Sequence, residues 1–224
     1  MPIASLPWET IVRKMREFGA GWPNRNSIAG LEREERDRNS MSWIDQRPDD
    51  AMDGAFTAVG PDIVRTVEPG AFREAMCLLG AAVHVVTTAG PGGKAGATAT
   101  AVCSVSDAPA TLLMCLNRRS QTNPAVVENG VFCVNTLGDG GAQLADIFAG
   151  RTGVTGSDRF STGDWTTLST GSPVLSSAVI AFDCRIIEVR SVASHNVFFG
   201  AVEAVQLGPS GPALVYHDRA YKRV

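Results

Sequence analysis

Between Val83 and Tyr216 the chain breaks into short runs of β-branched and small residues: Val83–Thr88, Ala95–Ser104, Thr111–Asn117, Val131–Leu137, Ala178–Ser191, Val197–Leu207 and Ala213–Tyr216. Clusters of Gly, Pro, Asn, Asp and Ser separate them. Branched side chains fit a pleated surface and the intervening residues suit tight turns, so these runs predict strands. From Thr66 onward helical spacing is confined to Pro69–Leu79, with Phe72, Met76 and Leu79 on one face, and to the short segments Asn123–Glu128 and Ala142–Ala149. Without a regular strand–helix alternation a parallel sheet has no crossovers to build it. The fold class is therefore mainly β, an antiparallel barrel with a few short helices. Barrels of this kind hold ligands at their mouths or at subunit junctions.

Spacing argues against two phosphate-binding scaffolds. Gly90-Pro91-Gly92-Gly93-Lys94 continues into Ala95 and lacks the spacing of a P-loop, and it fits a hairpin turn. No GxGxxG opens a helix after a strand, so a Rossmann site is disfavoured. Any nicotinamide or flavin must be held by another framework.

Charge is distributed unevenly. Residues 1–65 carry 9 Lys and Arg and 11 Asp and Glu, against 11 and 12 over residues 66–224. The first stretch reads as a charge-rich extension, with an amphipathic helix over Trp8–Phe18 and a polar linker over Asn24–Arg38; the compact domain starts near Thr66. So few charges over residues 66–224 leave much surface to be covered by a second copy, and a homo-oligomer is expected. The net charge of −3 offers no attraction for nucleic acid or an anionic membrane surface. No secretory signal or membrane-spanning run is evident. Cys77, Cys103, Cys115, Cys133 and Cys184 lie among apolar neighbours without a CxxC pair, which predicts buried, reduced thiols and a cytoplasmic location. His84, His195 and His217 share no ligand spacing with one another or with a cysteine, so no metal site is expected.

Two segments carry candidate chemistry. In Gly96–Ser106 small residues occupy both faces of a presumed strand, which admits either a flat ligand against the backbone or another strand packed closely. Asn117-Arg118-Arg119-Ser120-Gln121-Thr122-Asn123 runs from a strand end into a helix start. Cations, hydroxyls and unpaired amides there suit a phosphate, and the same residues suit simple N-capping.

Taken in order, Phe72–Met76, Ala82–Thr88, Ala97–Ser106, Leu116–Ser120, Phe132–Asn135 and Phe148–Gly150 resemble the short-chain flavin reductases, among them the reductase components of 4-hydroxyphenylacetate 3-monooxygenase. The resemblance covers residues 66–224. It implies a homodimeric split β-barrel of Greek-key topology that binds FMN or FAD and reduces it with NADH or NADPH. It places Thr98, Ala99, Thr100, Ala101, Val102, Cys103 and Ser104 along the isoalloxazine and ribityl chain. Asn117, Arg118, Arg119, Ser120 and Asn123 fall near the phosphate, and Gly150, Arg151 and Phe160 come from a loop at the same pocket. Tyr221, with Tyr216 and Arg219, closes the site, and His195 contacts the nicotinamide. A separate oxygenase receiving reduced flavin is the implied partner. The alternatives are another acceptor, such as a corrinoid cobalt, and a flavin-binding module without activity.

Overall fold

The computed structural model describes residues 65–224, and the amphipathic helix and linker expected in the charge-rich extension lie outside them. After helix α1 (Pro69–Cys77) come β1 (Ala81–Ala82), β2 (His84–Thr88), β3 (Ala95–Ala99), β4 (Val102–Asp107), β5 (Ala110–Asn117), α2 (Thr122–Asn129), β6 (Val131–Thr136) and α3 (Ala142–Phe148). The chain ends with β7 (Trp165–Thr167), β8 (Pro173–Leu175), β9 (Ile180–Val192), β10 (His195–Leu207), β11 (Leu214–His217) and β12 (Ala220–Arg223).

Seven strands form one sheet in the order β3-β2-β6-β9-β10-β5-β4, and every pairing in it is antiparallel. The two end strands are consecutive in sequence. Only Thr100 and Ala101 separate β3 from β4, so a bend in one continuous run joins the two ends of the sheet and makes it a split barrel. The long run expected over Ala95–Ser104 is therefore broken at Thr100 and Ala101. A second sheet, β1-β11-β12, is tied on through Val83 N–H to the Leu214 carbonyl (3.0 Å) and Leu214 N–H to the Leu137 carbonyl (3.0 Å).

Two apolar clusters pack on opposite faces of β2 and β6. Inside the barrel lie Val86, Leu112, Met114, Leu116, Val126, Phe132, Val134, Cys184 and Phe198. Outside it, Val83, Val85, Leu144, Phe148, Phe160 and Leu175 are gathered under α3 and the β7–β8 hairpin. With both faces covered, every residue of β2 and β6 is buried. The barrel is closed tightly across its middle: a Cβ on Gly200 would stand 2.6 Å from Phe132 Cζ, which leaves β10 no room for a larger residue there. Polar groups in this core are paired. Asn135 accepts from Leu175 N–H at 2.7 Å and donates to the Val85 carbonyl at 3.0 Å, which pins the β7–β8 hairpin to the barrel.

Among the described residues nothing covers Phe72 and Met76 of α1 or Leu79 just past its end, since no residue of the helix is buried. One expectation is corrected. The thiols are not uniformly buried: Cys133 and Cys184 are, Cys77 and Cys115 are half-buried, and Cys103 is exposed on β4. Burial pushes the Cys184 thiol up to about 12 and raises Cys133 as well, so neither is a thiolate at neutral pH.

Candidate active site

The bend between β3 and β4 is the centre of the site. On one side of it is a pocket of about 200 Å³ lined by Val83, Thr98, Ala99, Thr100, Ala149, Arg151, Tyr216 and Tyr221. Small side chains at the bend leave the backbone within reach of a flat ligand, while the Tyr216 and Tyr221 rings, 5.5 Å apart and edge to face, close the opposite side. Arg151 follows α3, whose chain turns away through Gly150 at φ 75°. Its guanidinium donates to Asp146 Oδ1 at 2.9 Å and reaches Tyr221 Oη at 3.5 Å, and the Tyr221 hydroxyl donates to the same Asp146 oxygen at 3.2 Å. Asp146 thus holds both groups at the rim. Its carboxylate keeps Arg151 more firmly protonated, whereas burial and then that same charge raise the Tyr221 phenol above its usual range.

On the other side of the bend is the outer face of β4, β5 and β10. Ala101 is joined to β5 by Cys115 N–H donating to its carbonyl at 3.0 Å. Cys103 lies opposite Leu113, and Asn117 lies opposite His195. Because directly opposed residues share a face, the pairs Cys103–Leu113 and Asn117–His195 stand on one outward surface. His195 begins β10 with Nδ1 fixed by the Ser194 hydroxyl at 2.9 Å, so Nε2 remains for a ligand. Val102 and Ser104 occupy the opposite face by the same alternation, and Val102 packs on the interior cluster.

The segment after β5 is fixed locally. Arg119 N–H donates to Asn117 Oδ1 at 2.9 Å and Thr122 N–H to Ser120 Oγ at 3.2 Å. Thr122 Oγ1 then bonds the Gly96 carbonyl at 2.9 Å, which lays the start of α2 along β3. The exposed Arg118 guanidinium donates to the Ala193 carbonyl in the β9–β10 turn. Two further expected contacts are placed elsewhere: Phe160 is buried among Phe148 and Trp165, and Asn123 is buried in the first turn of α2. Thr98 lines the pocket, with its Oγ1 spent on the Ala145 carbonyl at 2.6 Å. Sequence reasoning missed Val83, Ala149 and Asp146. The first two are apolar residues brought in by folding, and Asp146 carried only one local sign, an acidic residue one turn and a half before Arg151.

A flat wall of small residues, facing aromatics, a cation at the rim and a phosphate-compatible helix start next to the same strand fit a flavin nucleotide, and the class defined is a split-barrel flavin-binding protein. The flavin reductase like domain model matches residues 76–224. The chain belongs to that family and is a flavin oxidoreductase. The chain is 52% identical over 156 residues to FMN reductase (NADH) RutF 1 of Methylorubrum extorquens, covering 70% of this chain and 77% of the relative. It is 46% identical over 155 residues to FMN reductase (NADH) RutF of Pantoea ananatis, covering 69% and 80%. Among solved structures, the Streptomyces globisporus NADH:FAD oxidoreductase SgcE6 superposes with a TM-score of 0.64 at 25% identity, over 72% of this chain and 97% of that one.

Proposed function

We propose that the protein is an NADH-dependent FMN reductase that works as a homodimer in the cytoplasm and passes reduced flavin to a separate oxygenase. The observation that carries the reading is the Thr98–Thr100 wall beneath Arg151 and Tyr221, in a chain half identical to relatives named FMN reductase (NADH). Thr98, Ala99, Thr100 and Ala101 form the wall, Arg151 and Tyr221 the rim, and Asn117, Arg119 and Ser120 the phosphate end. His195, held by Ser194, orients the nicotinamide. A bound flavin supplies the acceptor for a hydride from that nicotinamide. The chain's own work is to stack, orient and exclude water, which needs no general base and accounts for a site without paired carboxylates.

Two features support the dimer. The pocket of about 200 Å³ is smaller than the ~300–1,000 Å³ usual for ligand sites, so one chain supplies part of a site. Phe72, Met76, Leu78 and Leu79 of α1 and its exit, and Ile187, Val189 and Val192 of β9, are all exposed. That much apolar surface suits a subunit contact.

Steady-state oxidation of NADH and NADPH with FMN, FAD and riboflavin varied in turn tests the reading. NADH with FMN should give the highest kcat/KM, and Arg151→Ala should raise the FMN Kd about tenfold by removing a charged contact. A yellow protein that oxidises neither nucleotide with any free flavin would make it a binding module. Turnover only with a corrinoid cobalt acceptor would move it to that branch.

A further inference from the structure

The β9–β10 hairpin that presents His195 turns through Ala193 and Ser194, with Ala193 in the left-handed region at φ 49°. A non-glycine residue there is strained by about a kcal/mol and persists only when its surroundings hold it. Behind the turn runs a chain of neutral side chains. Ser191 Oγ donates to Asn196 Oδ1 at 2.8 Å, Asn196 Nδ2 donates to Asn123 Oδ1 at 2.9 Å, and Asn123 Nδ2 donates to the Leu116 carbonyl at 3.2 Å. Asn123 and Asn196 are 4% and 9% exposed. In front, Arg118 N–H donates to the Ser194 carbonyl at 3.0 Å and the Arg118 guanidinium to the Ala193 carbonyl. The turn is thus gripped on both sides by the segment that leads into α2.

We propose that Asn196, through Asn123, is a positioning residue that locks the His195 turn to the start of α2, so that the nicotinamide-facing histidine and the phosphate end of the flavin site keep one fixed spacing. Asn196 is next to His195 but points to the opposite face, into the barrel, as the pairings Asn196–Leu116 and His195–Asn117 require. It cannot touch a ligand lying on the outer face with His195. Its effect is exerted through the neighbouring residue and through Asn123, whose side chain bridges from the first turn of α2. Asn123 accordingly fixes the geometry of the phosphate segment from beneath. Each buried amide oxygen and nitrogen has a partner, and truncating one side chain leaves its neighbour unsatisfied, so the chain behaves as a unit.

The inference rests on the reading of His195 as the nicotinamide contact, and the experiment separates the two. Kinetics are measured with NADH varied at saturating FMN and with FMN varied at saturating NADH. FMN binding is followed by fluorescence quenching without NADH. Asn196→Ala should raise KM for NADH about tenfold with kcat changed less than threefold, and Asn123→Ala should do the same. The double variant should cost no more than the larger single one, because both cut the same chain. Ser191→Ala, at the exposed end, should move KM for NADH about threefold in the same direction and keeps the test open if the asparagine variants do not fold. Unchanged KM for NADH in these variants, additive losses in the double variant, or a fall in kcat in proportion to lost thermal stability would each overturn the proposal. If His195→Ala itself leaves KM for NADH unchanged, the histidine reading fails; if His195→Ala raises it and Asn196→Ala and Ser191→Ala do not, the positioning role fails alone.

Discussion

The β2–β6 centre of the barrel and the β4, α1 and distal β9 surface are made of similar residues and end in opposite states. All of β2 and β6 is buried, whereas β4 has no buried residue, nor has α1, and β9 is exposed from Ile187 to Val192. The difference lies in what covers each face. The centre is roofed by α3 and the β7–β8 hairpin, while nothing among the described residues roofs the other region, although Ile187, Val189 and Val192 are as apolar as core residues. One region is covered from within the described residues, and the other is the surface that the proposed dimer would cover.

The largest effect should come from the completed region. Phe132→Ala empties a fully buried site against Gly200 and should cost about 3–5 kcal/mol in urea unfolding. A loss below 1 kcal/mol would mean that the centre is less rigid than its burial implies. Next is His84, buried on β2, bonded to Thr136 Oγ1 at 3.0 Å and lowered by burial from 6.5 to about 4. The unfolded chain binds this proton over a pH range where the folded chain does not. Stability is therefore full above pH 6.5 and falls as pH drops toward 4, by at most about 3 kcal/mol. Urea midpoints at pH 7 and pH 4.5 check the sign, and His84→Asn should flatten the slope.

The unfinished region should respond in assembly instead of folding. Ile187→Glu with Val189→Glu should shift the protein to monomer by light scattering and lower flavin reduction, with an effect on the monomer's own stability of about 0.5 kcal/mol or less. A dimer that survives both charges would place the subunit contact elsewhere. The smallest effect concerns the hairpin at the border: Ala193→Gly relieves the φ of 49° and should change stability by less than about 1 kcal/mol, toward greater stability, by thermal melting.

The contrast also explains what could be read along the chain. Val131–Leu137 and Val83–Thr88 declared themselves because branched residues run without interruption where both faces are covered. The α1 periodicity was equally legible, but a stripe of Phe72, Met76 and Leu79 says that a face is apolar and not which molecule covers it. β12 escaped notice because Ala220-Tyr-Lys-Arg223 has no alternation, and β7 and β8 are three residues each. The break at Thr100–Ala101 had no signal, since alanines and threonines suit a strand and a bend alike. The proposed wall at Thr98–Ala101, the proposed rim at Arg151 and Tyr221, and the candidate His195 lie in contiguous motifs. Asp146 and Asn196 do not, because their importance arises from hydrogen bonds that only the folded chain makes.

The Gly96 carbonyl, on the outer edge of β3, receives Thr122 Oγ1 at 2.9 Å and Arg159 Nη1 at 3.3 Å. An uncapped edge strand offers such acceptors to any extended segment that comes near, and strands of separate molecules join there. With its acceptor already filled from within the chain and α2 and α3 lying alongside, β3 offers a poor template for runaway strand addition. The bonds that lay the start of α2 along β3 therefore also guard a glycine- and alanine-rich edge against aggregation.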